Sequence, residues 1–193
     1  MTTDDLIGFW SRLGTATLHP DDVAALCRSD KFETRLVPLP WNGPIRSARA
    51  IVALINPGLD PNDVPYEQGN RGFRERLHLN LEGNWPYVYF DQDYSDHPGA
   101  AWALTTFGRD FPIEFGDRFC VIQLVAYHSE DTKALSEIAQ ELRSAAVIKN
   151  WLHHTVLPQV RAGEMVLVVG RGAAKYGVSN EPETEHFVRY GFP

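Results

Sequence analysis

Cysteine is scarce in this chain: Cys27 and Cys120 are the only two among 193 residues. Too few and too far apart for a disulfide framework or a four-ligand zinc site, they read as buried thiols. Long apolar runs are absent as well. None approaches the roughly 18 residues a membrane helix requires, and the opening Met1-Thr2-Thr3-Asp4-Asp5 is acidic where a targeting segment would be basic. The expectation is a soluble, cytoplasmic protein with no membrane partner. Positive charge is also short: 18 Lys and Arg stand against 25 Asp and Glu, a formal charge of -7. That balance weakens the case for a generally basic nucleic-acid surface but permits a local basic strip. No repeat, low-complexity tract or linker divides the sequence, so residues 1–193 are read as one domain with one sizeable core.

Several common chemistries lack their motifs. There is no Gly-x-Ser-x-Gly nucleophile and no Cys/His pair of catalytic spacing. GRGAAKYG, residues 170–177, has neither the spacing nor the terminal Lys-Ser/Thr of a triphosphate loop. DQDYSDH, residues 91–97, alternates acidic side chains but misses the sixth-position glycine and the distant glutamate of a calcium loop. His153 and His154 fall on a predicted helix, where neighbours point about 100° apart and do not readily share a metal. Neither a metal nor a cofactor is expected.

What is present is an alternation of apolar strands and helical stretches. Residues 48–55, 118–126 and 165–170 read as strands, the first of them with the continuous apolar run of a strand covered on both faces. A long helical stretch from Ser144 to about Val160 lies between the last two, with Val147, Ile148, Trp151, Leu152 and Val156 on one face. Strand, helix, strand implies parallel pairing through a right-handed crossover. The predicted fold class is therefore α/β, three layers α/β/α around a central, mainly parallel sheet. Shorter helices are predicted around Leu6–Leu13, Asp21–Cys27 and Gly99–Phe107, a strand or extended loop over Pro86–Phe90, and a last edge strand near Phe187–Tyr190.

In such a sheet ligands gather where the strands end. ALINPGLDPNDVPY, residues 53–66, carries a strand into Asn56, then Pro57, Gly58 and a polar loop. Pro57 fixes one torsion and Gly58 permits unusual ones, so the backbone can turn sharply and come close to a ligand. The Asn56 amide offers an acceptor and two donors, and it either caps this turn or faces a bound molecule. Tyr66 either packs the loop or offers a stacking surface. His128, just past the second strand, is either structural or a donor at the same edge. Arg171 and Lys175, after the third strand, are available to a backbone phosphate.

INPGLDP at 55–61 resembles the first active-site motif of the mismatch-specific uracil-DNA glycosylases, and the single-strand-selective branch carries a similar Asn-Pro-Gly-Pro. VPYEQ at 64–68, GNRGF at 69–73, VIQLVAYHSED at 121–131 and LVVGRGAAKYGV at 167–178 resemble later segments of the same superfamily, in order. The resemblance implies a uracil-DNA glycosylase-like fold that receives a flipped base and hydrolyses its bond to deoxyribose. It implies that Asn56 positions the water, that backbone amides near Pro57, Gly58 and Leu59 donate to base carbonyls, and that Tyr66 stacks on the base, while His128 aligns with no histidine of the family. The partner would be DNA carrying uracil or a damaged base. The family's second loop, Asn-Pro-Ser or His-Pro-Ser with wedge residues, finds no match in residues 178–193, and residues 79–96 have no counterpart in the family. Flipping from a duplex is expected to be impaired. Two other roles therefore stand beside catalysis: a non-catalytic protein that binds a nucleobase, nucleotide or single-stranded nucleic acid in the same cleft, and a small hydrolase using His128 with an acidic partner.

Overall fold

The computed structural model describes residues 1–108, 113–130, 134–170 and 172–190. Five strands form one sheet: β1 (Trp41–Asn42), β2 (Ala50–Leu54), β3 (Phe119–Gln123), β4 (Val166–Val169) and β5 (Phe187–Arg189), in the order β1-β3-β2-β4-β5. Four of them run parallel, and β1 alone pairs antiparallel, with β3. The helices are α1 (Thr3–Ser11), α2 (Val23–Leu26), α3 (Asp63–Gly69), α4 (Arg71–Asn80), α5 (Pro98–Phe107), α6 (Ala134–Glu141), α7 (Arg143–Trp151), α8 (Leu157–Arg161) and α9 (Ala173–Tyr176). Among the described residues no helix is long and apolar enough to cross a membrane.

The alternation of side chains along each strand separates two apolar layers. Ile51, Ala53, Cys120, Ile122, Leu167 and Val169 face one way and pack with Leu6, Trp10, Ile148 and Trp151. Val52, Phe119 and Val121 face the other way and pack with Tyr87, Phe90 and Ala103. Helices thus cover both faces, as expected for a run like AIVAL with no polar residue. The helical stretch predicted from Ser144 is observed as α7 and α8 joined by a π-helical turn, Leu152–Val156. One extra residue in that turn leads into Pro158, whose missing N–H would interrupt a regular α-ladder.

Three local expectations change. Residues 62–66 are not an extended loop: α3 begins at Asp63, and Pro65 sits in its first turn, where a missing N–H costs nothing. Pro86–Phe90 contains a 3-10 turn, Val88–Phe90, instead of a strand. The strand β1 was not foreseen. It is only two residues long and is fixed by Asn80 at the end of α4, whose Nδ2 donates to the Trp41 carbonyl at 2.7 Å and whose Oδ1 accepts from the Gly43 amide at 3.1 Å. Asn80 is fully buried, so Asn80→Ala would orphan two buried backbone groups and is expected to cost about 2 kcal/mol. A lowered urea midpoint with an unchanged slope is the readout.

Candidate functional site

The strands β2 and β3 carry their ladder one step past their ends, through Leu124 N–H to Leu54 C=O and Val125 N–H to Ile55 C=O. The chain after Ile55 is therefore held beside the chain after Gln123. Asn56 joins them: its Nδ2 donates to the Ser129 carbonyl at 2.8 Å. That bond fixes the amide orientation and leaves Oδ1 as the acceptor with no partner among the described residues.

Asn56 lines a cavity of about 340 Å³ at this carboxyl edge, within the range of small-molecule sites. Its floor is one face of the sheet. Asn42 pairs with Val121, and Leu54 with Gln123, so these four side chains point the same way. Tyr87, Tyr89, Pro98, Gly99 and Trp102 form the opposite wall, and Pro57, Gly58, Leu59, Asp60, Asp63 and His128 complete the rim. Two floor amides are each less than a tenth exposed and incompletely bonded. Asn42 uses Oδ1 to accept from the Val88 amide at 2.9 Å, but its Nδ2 has no partner, and Gln123 Oε1 has none either. Nearly all buried polar atoms in folded proteins are paired, yet these two, closed off from solvent at the cavity floor, have no partner among the described residues.

Gly58 has φ +75°, a conformation that favours glycine. It turns its carbonyl to His128 Nδ1 at 3.1 Å, while the amides of Gly58 and Leu59 bond to nothing among the described residues. His128 is buried, and burial pushes it down to about 4, against the opposing pull of the Gly58 and Val37 carbonyls and of Glu33. The ring is neutral at pH 7. Because a carbonyl can only accept, Nδ1 carries a proton where it meets Gly58, and Nε2 has no hydrogen-bond partner among the described residues. His128 lines the cavity, with Nδ1 held on the Gly58 carbonyl.

Tyr66 is placed elsewhere. The helix α3 turns its ring edge-on to Phe73 and His97, with centroids 5.3 and 4.7 Å away, and its hydroxyl donates to Asp96 at 2.6 Å. Burial and Asp96 push that phenol up to about 12. The aromatic wall of the cavity is supplied by Tyr87, Tyr89 and Trp102 instead. Lys175, on α9, lines a separate groove of about 370 Å³ with Lys149 and Gln140, and Arg171 lies outside the described residues. His153 and His154 diverge, to the Tyr176 and Asn150 carbonyls respectively.

Sequence reasoning did not single out Asp63, although it lies within ALINPGLDPNDVPY, residues 53–66. The side chain is buried at the cavity rim, where Oδ2 accepts the Asp60 amide at 2.7 Å and Oδ1 lies 3.7 Å from His97 Nε2. Burial raises its pKa, the Asp60 amide opposes, and the Asp60 charge raises it further. His97 caps α5, its Nδ1 accepting from the Gly99 amide at 2.9 Å, so its proton is on Nε2, toward Asp63. Burial pushes His97 down to about 4 as well, and the ring stacks on Tyr89, 5.1 Å away. One turn along α3, Glu67 accepts the Val37 amide and pairs with Arg74 at 2.9 Å. Burial pushes Glu67 up to about 7.

No protein-family model, no curated protein and no solved structure matches this chain.

Proposed function

We propose that this is a divergent DNA glycosylase-like protein that hydrolyses the N-glycosidic bond of uracil or a related damaged base. The observation that carries the reading is Asn56, an amide anchored through Nδ2, with no partner for Oδ1 among the described residues, on a cavity lined by Tyr87, Tyr89 and Trp102. In this reading Oδ1 accepts from a water and aims its oxygen at C1′. The C1′–N bond breaks with its electron pair passing to the base, the water oxygen bonds to C1′, the water's proton passes to solvent, and the departing base anion takes a proton from solvent. The free amides of Gly58 and Leu59 donate to a ring carbonyl, and the Asn42 and Gln123 amides read the base edge by complementary hydrogen bonds. Tyr87, Tyr89 and Trp102 enclose its faces. The INPGLDP motif supports the same assignment.

A second reading is favoured by His128: with its only ring proton given to Gly58, the cavity has no histidine acid for a departing base, which suits a non-catalytic nucleobase or single-strand binder. One experiment separates the two. Single-stranded and duplex oligonucleotides carrying uracil, a U·G mismatch or hypoxanthine are incubated with the protein, and abasic sites are counted. Base release supports the enzyme; binding without release supports the binder. The wall assignment has its own check by calorimetric titration with nucleosides. Trp102→Ala and Tyr89→Ala are each expected to weaken binding by about 1–3 kcal/mol, while Tyr66→Leu, which removes the ring, leaves it within about twofold. A larger loss at Tyr66 than at Trp102 would return the stacking role to Tyr66.

A further inference from the structure

Charge around the cavity narrows the ligand further, on the premise that the cavity holds a base. Among its described lining residues are two carboxylates, Asp60 and Asp63, and no lysine or arginine. Asp63 Oδ1 has no hydrogen bond of ordinary length, since His97 Nε2 is 3.7 Å away. Burial also keeps that imidazole uncharged, so it is no counter-ion. A buried carboxylate without a cation is costly, and a charged ligand supplies what is missing. Tyr87, Tyr89 and Trp102, aromatic side chains of the kind that attract cations, line the same cavity. Polar side chains share the cavity with that acidic rim: Asn42 and Gln123 line its floor, each more than nine-tenths buried, with Asn42 Nδ2 and Gln123 Oε1 unpartnered among the described residues.

We infer that the preferred ligand is a flat heterocycle carrying a positive charge, of the class of ring-N-alkylated nucleobases, held between the Asp63 carboxylate and the aromatic wall of Tyr89 and Trp102.

The chemistry of release agrees with this. A uracil leaves as an anion, and needs a proton or a positive charge beside it. His128 gives its ring proton to Gly58, the Gly58 and Leu59 amides carry no net charge, and the two carboxylates repel a developing anion. An alkylated base begins as a cation. When its C1′–N bond breaks, the electron pair cancels the ring's charge and the base departs neutral; the water oxygen bonds to C1′ and the water's proton passes to bulk solvent. No acid is required, and Asp63 faces positive charge from the bound state through the oxocarbenium-like state.

The test is isothermal titration calorimetry at pH 7 with 1-methyladenosine, which is cationic, against its neutral isomer N6-methyladenosine, adenosine and uridine. The cation is expected to bind at least tenfold tighter than either neutral adenosine, and Asp63→Asn to reduce that ratio to about twofold or less. Circular dichroism establishes that the variant is folded; should it not be, Asp60→Asn, at a more exposed carboxylate, is expected to reduce the ratio at least threefold. Uridine binding as tightly as 1-methyladenosine, or a cation preference that survives the folded Asp63 variant, overturns the inference while leaving base binding intact. Binding of no nucleoside at all removes the base-binding reading and this inference with it.

Discussion

Asn56→Ala is expected to slow base release on the order of a hundredfold or more, on whichever oligonucleotide the wild-type chain cleaves fastest, while changing nucleoside affinity by less than about threefold. An amide is a poor proton acceptor, so the loss is one of geometry: a water no longer held with its oxygen toward C1′ must find that position by chance. The argument depends on the Asn56–Ser129 bond. With Nδ2 fixed on the Ser129 carbonyl at 2.8 Å, the amide cannot rotate to present a donor, and Oδ1 is committed to accepting. Truncation also removes the Asn56–Ser129 hydrogen bond, at a cost of about 1 kcal/mol, too little to unfold the chain. Asn56→Asp sharpens the test, because an oxygen would then oppose the Ser129 carbonyl and the side chain would lose its orientation. It is expected to remain well below wild type despite offering a stronger base. Single-turnover assays at saturating protein separate the rate from binding, and a rate for Asn56→Ala within threefold of wild type would end the water-positioning role.

The part of this site that could be read in the sequence is the part encoded locally. An apolar run ending in Asn56-Pro57-Gly58 marks a strand, its end and a sharp turn within six residues, and the structure places Asn56, Pro57, Gly58 and Leu59 on the cavity. The floor and the opposite wall were illegible for a physical reason: Asn42 and Gln123 meet Tyr89 and Trp102 only because β1 is antiparallel to β3 and α5 packs over that face of the sheet. No spacing in the sequence encodes such a register. Residues 79–96, which match nothing in the resembling family, contribute Tyr87 and Tyr89 to that wall, so the least familiar stretch shapes the cavity. Sequence left Tyr66 open between packing and stacking because the polar loop that ends in Pro65 gives no sign of folding as the first turn of α3, where proline is tolerated. Once α3 forms, it rotates Tyr66 onto Phe73 and brings Asp63 to the rim. The main parallel strands, by contrast, were legible to within a few residues, since unbroken apolar runs leave little choice but burial on both faces.

Acidification is expected to destabilise this chain through His97 and His128, both buried and both lowered from 6.5 to about 4 by loss of solvent. In the unfolded chain these imidazoles bind protons near pH 6.5, while the folded chain refuses them until about pH 4. Between those values the unfolded state holds more protons, so stability is present above pH 6.5 and is lost as the pH falls toward 4. At about 1.4 kcal/mol per pH unit, each ring accounts for roughly 3 kcal/mol at the acid end. Glu67 and Asp63 act in the opposite sense. Glu67, raised from 4.5 to about 7, contributes stability that is full below pH 4.5 and lost as the pH rises through 7, so the wild-type curve reports a difference between opposing groups. Substitution isolates the imidazole. His97→Asn retains an acceptor for the Gly99 amide that begins α5, and is expected to be less stable than wild type at pH 8, having lost the ring packed on Tyr89 and Phe73. Its deficit should shrink by about 2 kcal/mol between pH 7 and pH 5, because asparagine has no proton to bind. Urea unfolding across that range reads the deficit directly, and one that stays constant with pH would mean that the His97 ring accepts its proton in the folded chain as readily as in the unfolded one.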